Sequence, residues 1–157
     1  MKILAIDPSV NSVGWATYDT ETEEYQWGMW SIHGLNYKMR CTDIRQYIEA
    51  EIGEFDKLLC EWPAFYGGDK GAVAAQQGYT INLAGVAMYI AGWFHITHQN
   101  LELITAPMWK GQVPKAVTAR RFYQTFDVKM CDVDHNAIDA TMMLVWYNHR
   151  IATKGKL

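Results

Sequence analysis

The sequence predicts an α/β chain in which a five-stranded mixed sheet, its first three strands antiparallel, is flanked by helices. Three observations carry that prediction. Residues 3 to 33 hold three strand-like segments in succession, with no helical pattern between them. Beyond residue 38, stretches with apolar residues at helical spacing alternate with short apolar strands. Right-handed crossovers then set the fourth strand beside the first and the fifth outside it.

Each element has its own warrant. Ile3 to Ile6 is apolar without alternation, the pattern of a strand buried on both faces, and "DPSVNS" from Asp7 to Ser12 is a turn. Val13, Trp15, Thr17 and Asp19 alternate with Gly14, Ala16 and Tyr18 in a returning second strand. The acidic "DTETEE" at residues 19 to 24 is a solvated hairpin turn, and it leads to a third strand over residues 25 to 33. Met39, Ile44, Tyr47, Ile48, Ile52 and Phe55 lie at helical spacing in an amphipathic helix over residues 38 to 55. "KLLCE", residues 57 to 61, is a short apolar strand ending in Glu61. Proline and two glycines make residues 62 to 71 a loop, after which a long helix starts near Asp69 or Lys70 and runs to about Thr97. "LELIT", residues 101 to 105, is the fifth strand, and "APMWKGQVP" is a loop. Pro114 suits the first turn of the next helix, "KAVTARRFYQTF". Asp134 is the expected N-cap of a last helix with Ile138, Met142, Val145 and Trp146 on one face. With no repeat, low-complexity tract or linker, residues 1–157 are expected to form a single domain.

Composition narrows the function classes. Half of the 157 residues are hydrophobic, enough for a real core without disulfides or a structural metal. Cys41, Cys60 and Cys131 are far apart, which indicates neither a zinc knuckle nor a disulfide framework. Asp7 interrupts the only N-terminal apolar stretch, so a secretory signal is not expected and a cytoplasmic location is. The longest apolar run, Leu83 to Ile96, falls short of the ~18 residues of a membrane span, so no membrane partner is expected. The net charge of −3 argues mildly against nucleic acid, but the charge is uneven. Lys110, Lys115, Arg120, Arg121 and Lys129 face only Asp127 between Thr105 and Cys131. Such a basic surface coexists with a net acidic chain when carboxylates are gathered to hold cations.

The carboxylates at issue are Asp7, Glu61 and Asp139. Asp7 and Glu61 end two strands that the topology makes neighbours, at the place where ligands converge in an open α/β sheet. Asp139 lies one turn into the last helix, with Asn136 three and His135 four residues before it, so either can share its face. Three carboxylates with one neutral oxygen or imidazole suit two hard divalent ions, Mg²⁺ or Mn²⁺. Without metal their mutual repulsion would be severe. Read singly, Asp7 is a turn-forming residue before proline, Glu61 a surface strand end and Asp139 an ordinary helix residue.

"ILAIDPSVNSVGWA", "LLCEWPAF" and "HNAIDATMM" resemble, in order and spacing, motifs of the RuvC-type Holliday junction resolvases, nucleases of the RNase H-like superfamily. The resemblance runs from Ile3 to about Tyr147, and "APMWKGQVPK" is similar to a segment of phage-type members. It implies an RNase H-like fold and a DNA endonuclease that resolves four-way or other branched DNA. Cleavage would use two Mg²⁺ ions per site, with Mn²⁺ able to substitute, and leave 5′-phosphate and 3′-hydroxyl ends. It implies further that Asp7 bridges both metals, that Glu61 binds one and that Asp139 binds the other. Where the family has Asp or His three residues before its final Asp, this chain has Asn136. Asn136 is a ligand through its amide oxygen, is helped by His135 or Asp134, or has no ligand role. A phage origin would put the protein in a bacterial host's cytoplasm.

The same resemblance makes Lys110 and Lys115 catalytic and phosphate-binding. Lys115, near a helix start, is a plausible phosphate contact in its own right. Arg120 and Arg121 are either DNA contacts or a solvated basic face. Phe65 and then Tyr66, beside Gly67 and Gly68, are candidates for stacking on an unpaired base, at ~1 to 3 kcal/mol per base. Trp62 is expected to pack on the sheet. A two-fold symmetric junction calls for a homodimer. The helix near residues 70 to 97 is its expected interface; the stripe of Leu83, Val86 and Ile90 on one face meets either a second copy or the sheet, and a helix apolar over more than one stripe has two faces to bury, so both dimer and core are expected. Rival readings are an RNase H-like nuclease for a flap or RNA–DNA hybrid, a catalytically weak junction-binding protein, and half of an actin-like sugar kinase, for which the chain is too short.

Overall fold

The computed structural model describes residues 1–9, 11–63, 78–128 and 133–154. Strands β1 (Lys2–Pro8), β2 (Ser12–Asp19) and β3 (Tyr25–Ser31) come first, followed by α1 (Tyr37–Tyr47) and a π-helical turn (Ile48–Ile52). Then come β4 (Lys57–Trp62), α2 (Tyr79–Trp93), β5 (Leu101–Thr105), the one-turn α3 (Ala106–Trp109), α4 (Lys115–Phe126) and α5 (His135–Lys154). The sheet order is β3-β2-β1-β4-β5. β1 pairs antiparallel with β2, as β2 does with β3, while β4 lies parallel to both β1 and β5. The predicted fold class and strand order are those observed.

Alternation along β1 and β4 divides the core in two. Leu4, Ile6, Leu58 and Cys60 point to one side, where Ile44 and Ile48 and, from α2, Val86, Ala87 and Ile90 cover them. Ile3, Ala5, Leu59 and Ile104 point to the other, against Ala140, Met143, Leu144 and Tyr147 of α5. Both faces of β1 are therefore dry, which is why its apolar run lacks alternation. The two-residue period carries Asp7 and Glu61 onto the α5 side, after Ala5 and Leu59.

Several boundaries differ from expectation. α2 stops at Trp93, short of Thr97, because His95 takes a left-handed φ of 54°. The Ile96 N–H then bonds the Ala91 carbonyl at 2.9 Å, a helix-ending motif usually built on glycine. The first helix passes into a π-turn at Ile48 and ends before Phe55. "APMW" is a helical turn with proline near its start, not a loop. On α5, Ala140, Met143 and Leu144 are the sheet-facing residues, whereas Met142, Val145 and Trp146 are half-buried and line a cavity of about 150 Å³ with residues of α3 and α4. Trp62 is half-buried against the core, as expected.

The α2 stripe takes the sheet-facing one of the two placements its period allows. Val86 and Ile90 are buried in the core and Leu83 is half-buried, so this face packs on the sheet side. Ile81, Met88 and Trp93 are the exposed large apolar residues of α2. Among the described residues, no helix is long and apolar enough to cross a membrane.

Candidate active site

The β1–β4 register pairs Ala5 with Leu59 and Ile6 with Cys60, and one residue further along each strand stand Asp7 and Glu61. Asp139 reaches them because α5 lies close over β2 at Gly14, whose partner across the β1–β2 ladder is Asp7. A β-carbon on Gly14 would overlap the backbone of Asn136 and Ala137. Asp134 caps the helix there, accepting the Asn136 backbone N–H at 2.8 Å. One carboxylate oxygen from each of Asp7, Glu61 and Asp139 lies within 4.8 Å of the others.

Two neighbours from the segment after β5 complete the site. The Lys110 ammonium donates to Asp139 Oδ2 at 2.5 Å, and the Trp109 indole N–H donates to Glu61 Oε2 at 3.0 Å. Asp139 is 5% exposed, and its buried Oδ1 has no hydrogen-bond partner among the described residues. A buried carboxylate oxygen left unpaired is costly, and a cation would satisfy it. All three acids offer hard oxygen donors, so the residues fit Mg²⁺ or Mn²⁺.

The electrostatics are those of a crowded acidic cluster. Burial pushes the Asp7 carboxyl well above the usual range, and the charges of Glu61 and Asp139 push it further against the pull of Lys110 and Lys115. Burial likewise raises Glu61, opposed by Lys110 and the Trp109 N–H. For Lys110 burial works downward, but its bond to Asp139 and the charges of Glu61, Asp139 and Asp7 leave its pKa raised. Burial is thus the main cause for both raised carboxylates, with charge among the acids and Lys110 acting on top of it.

The other predicted residues fall at varying distances from this centre. Asn136 directs its amide nitrogen to Ser12 Oγ at 2.9 Å, and Ser12 in turn meets Ser9 Oγ at 3.1 Å. His135 is exposed and outside the carboxylate group, and Asp134 is exposed and occupied as the helix cap. Lys115 is exposed at the first residue of α4, close enough for its charge to act on Asp7 and Glu61. Arg120 and Arg121 are exposed on the same helix, Arg121 lining the cavity beside Trp109 and Lys110. Phe65 and Tyr66 lie outside the described residues. Sequence reasoning missed Trp109 and Gly14. The one available signal for Trp109 was its place next to Lys110.

No family model and no curated relative matches the sequence. Solved structures do. Thermus thermophilus RuvC in complex with a Holliday junction substrate superposes with a TM-score of 0.65 at 13% identity, covering 96% of each chain. A second T. thermophilus RuvC structure gives 0.55 at 14% identity, covering 94% of this chain and 95% of that one. The fowlpox virus Holliday junction resolvase gives 0.56 at 11% identity, covering 96% of this chain and 99% of that one. Over nearly its whole length, the chain has the RNase H-like fold of the RuvC-type Holliday junction resolvases.

Proposed function

We propose that the chain is a metal-dependent, structure-selective DNA endonuclease that resolves four-way junctions. The observation that supports this reading is the convergence of Asp7, Glu61 and Asp139, from three separate elements, at the carboxyl ends of β1 and β4. Asp7, Glu61 and Asp139 would hold two divalent ions, which would supply an activated water and charge stabilisation for the leaving 3′ oxygen. Asp7 would be shared by both, with Glu61 and Asp139 holding one each. Cleavage would leave 5′-phosphate and 3′-hydroxyl ends.

Lys110 balances charge at Asp139 and would meet a phosphate oxygen next to the carboxylates. Lys115 brings its ammonium to the start of α4, whose first turn has no side-chain cap, a combination that favours phosphate. Arg120 and Arg121 extend this basic face and would grip the DNA backbone further out. Phe65 and Tyr66 would stack on an opened base. Symmetric cutting needs a homodimer, for which the exposed Ile81 and Met88 of α2 supply apolar surface. The protein would work in the cytoplasm, that of a bacterial host if it is phage-encoded.

A junction-binding protein with weak catalysis is the second reading. It is favoured by Asn136, which brings no charge and whose amide nitrogen is engaged by Ser12. An immobile synthetic four-way junction, incubated with Mg²⁺, decides between them. Paired symmetric nicks that Asp7→Asn abolishes support the nuclease, whereas binding without nicking supports the weaker reading. Equal nicking of linear duplex contradicts junction selectivity.

A further inference from the structure

Trp109 ends the single turn α3 that follows β5 directly, and that turn aims its indole at the carboxylates. One edge of the ring donates to Glu61 Oε2, while the ring face lies 4.7 Å from the Lys110 ammonium that pairs with Asp139. The rest of the side chain packs against the core beneath α5. We propose that Trp109 is the positioning residue of the carboxylate cluster, fixing Glu61 through its N–H so that Oε1 is presented to a cation. This rests on the metal-site reading above and adds to it a residue with no ligating atom.

The choice of residue type has a physical logic. An indole N–H is a donor only, carries no charge and does not titrate, so it cannot compete for the cation or protonate the carboxylate at any working pH. A lysine or arginine in its place would neutralise Glu61 and weaken cation binding. By binding one oxygen, the N–H selects a single Glu61 rotamer and removes the cost of ordering it when the cation arrives. The half-buried ring, wedged between core and cavity, holds that donor still.

The test uses ¹⁵N-labelled full-length protein with assigned resonances, titrated with Mg²⁺ alone, alongside calorimetry of Mg²⁺ binding to the unmodified protein, Trp109→Phe and Glu61→Gln. The Trp109 indole N–H resonance should move with the calorimetric midpoint. Trp109→Phe, which keeps a ring and loses the donor, should bind Mg²⁺ about 10-fold more weakly. If the unmodified protein binds Mg²⁺ while the Trp109 resonance stays fixed, or if the folded phenylalanine variant binds equally well, the positioning role is overturned and the metal site stands. Should the phenylalanine variant fail to fold, the resonance of the unmodified protein decides alone. If the unmodified protein binds no Mg²⁺, or Glu61→Gln binds it undiminished, the metal-site reading fails and takes this proposal with it.

Discussion

Gly14 faces Asp7 across the β1–β2 ladder, and its missing side chain is what lets the first turn of α5 lie on the sheet close enough for Asp139 to meet Asp7. Backbone, not a flexible side-chain tip, occupies the space a β-carbon would need. Gly14→Ala must therefore displace the helix, at a cost of about 1 to 3 kcal/mol for overpacking. The expected result is a lowered melting temperature with loss of divalent-ion binding by calorimetry. Retention of both would mean that α5 does not depend on this close approach.

The raised carboxylates predict how stability varies with pH. Asp7 and Glu61 bind protons more readily folded than unfolded, so their contribution is present below the ordinary carboxylate range and is lost as pH rises through their elevated folded values. Each pH unit of elevation costs about 1.4 kcal/mol at neutral pH. Urea denaturation in EDTA should show stability falling across that window, and Mg²⁺ should remove most of the fall. Asp7→Asn, which deletes one of the three charges, should be more stable than the unmodified protein in EDTA at pH 7 and gain less from Mg²⁺.

Lys110 provides the counter-charge to a buried aspartate, and its loss separates two effects. Lys110→Met leaves Asp139 without its ion-pair partner, costing about 3 kcal/mol in the absence of divalent ions. The same change removes an ammonium that competes with a cation for Asp139 Oδ2, so Mg²⁺ binding should tighten while junction cleavage slows by about 10²-fold. Weaker Mg²⁺ binding in this variant would show that the lysine orders the site instead of competing for it.

Asn136 donates its amide to Ser12, and Asn136→Asp exchanges that donor for an acceptor of the Ser12 hydroxyl. A fourth carboxylate then stands one turn from Asp139. Mg²⁺ affinity should rise about 10-fold and cleavage with it, at the expense of stability in EDTA. Unchanged affinity would place residue 136 outside the ligand set.

The fold and the three acids were legible in the sequence because both depend on short-range rules. An apolar run without alternation marks a strand dry on both faces, as Ile3 to Ile6 are, and a two-residue period sends Asp7 and Glu61 to one side once β1 and β4 are neighbours. What was not legible depends on tertiary contacts. The left-handed His95 ends α2 without a glycine to announce it, and the direction of the Asn136 amide is set by Ser12 more than a hundred residues away. Trp109 enters the site only because "APMW" coils into a turn instead of trailing as a loop. The Leu83, Val86 and Ile90 stripe has the same period whether it meets the sheet or a second copy, and here it lies on the core side.

Anomalous diffraction from a crystal soaked in MnCl₂ tests the central claim most directly. Two manganese peaks about 3.5 to 4 Å apart, with Asp7 between them and Glu61 and Asp139 on either side, are the expected result. Full-occupancy manganese elsewhere in the lattice with no density among these three carboxylates would contradict it.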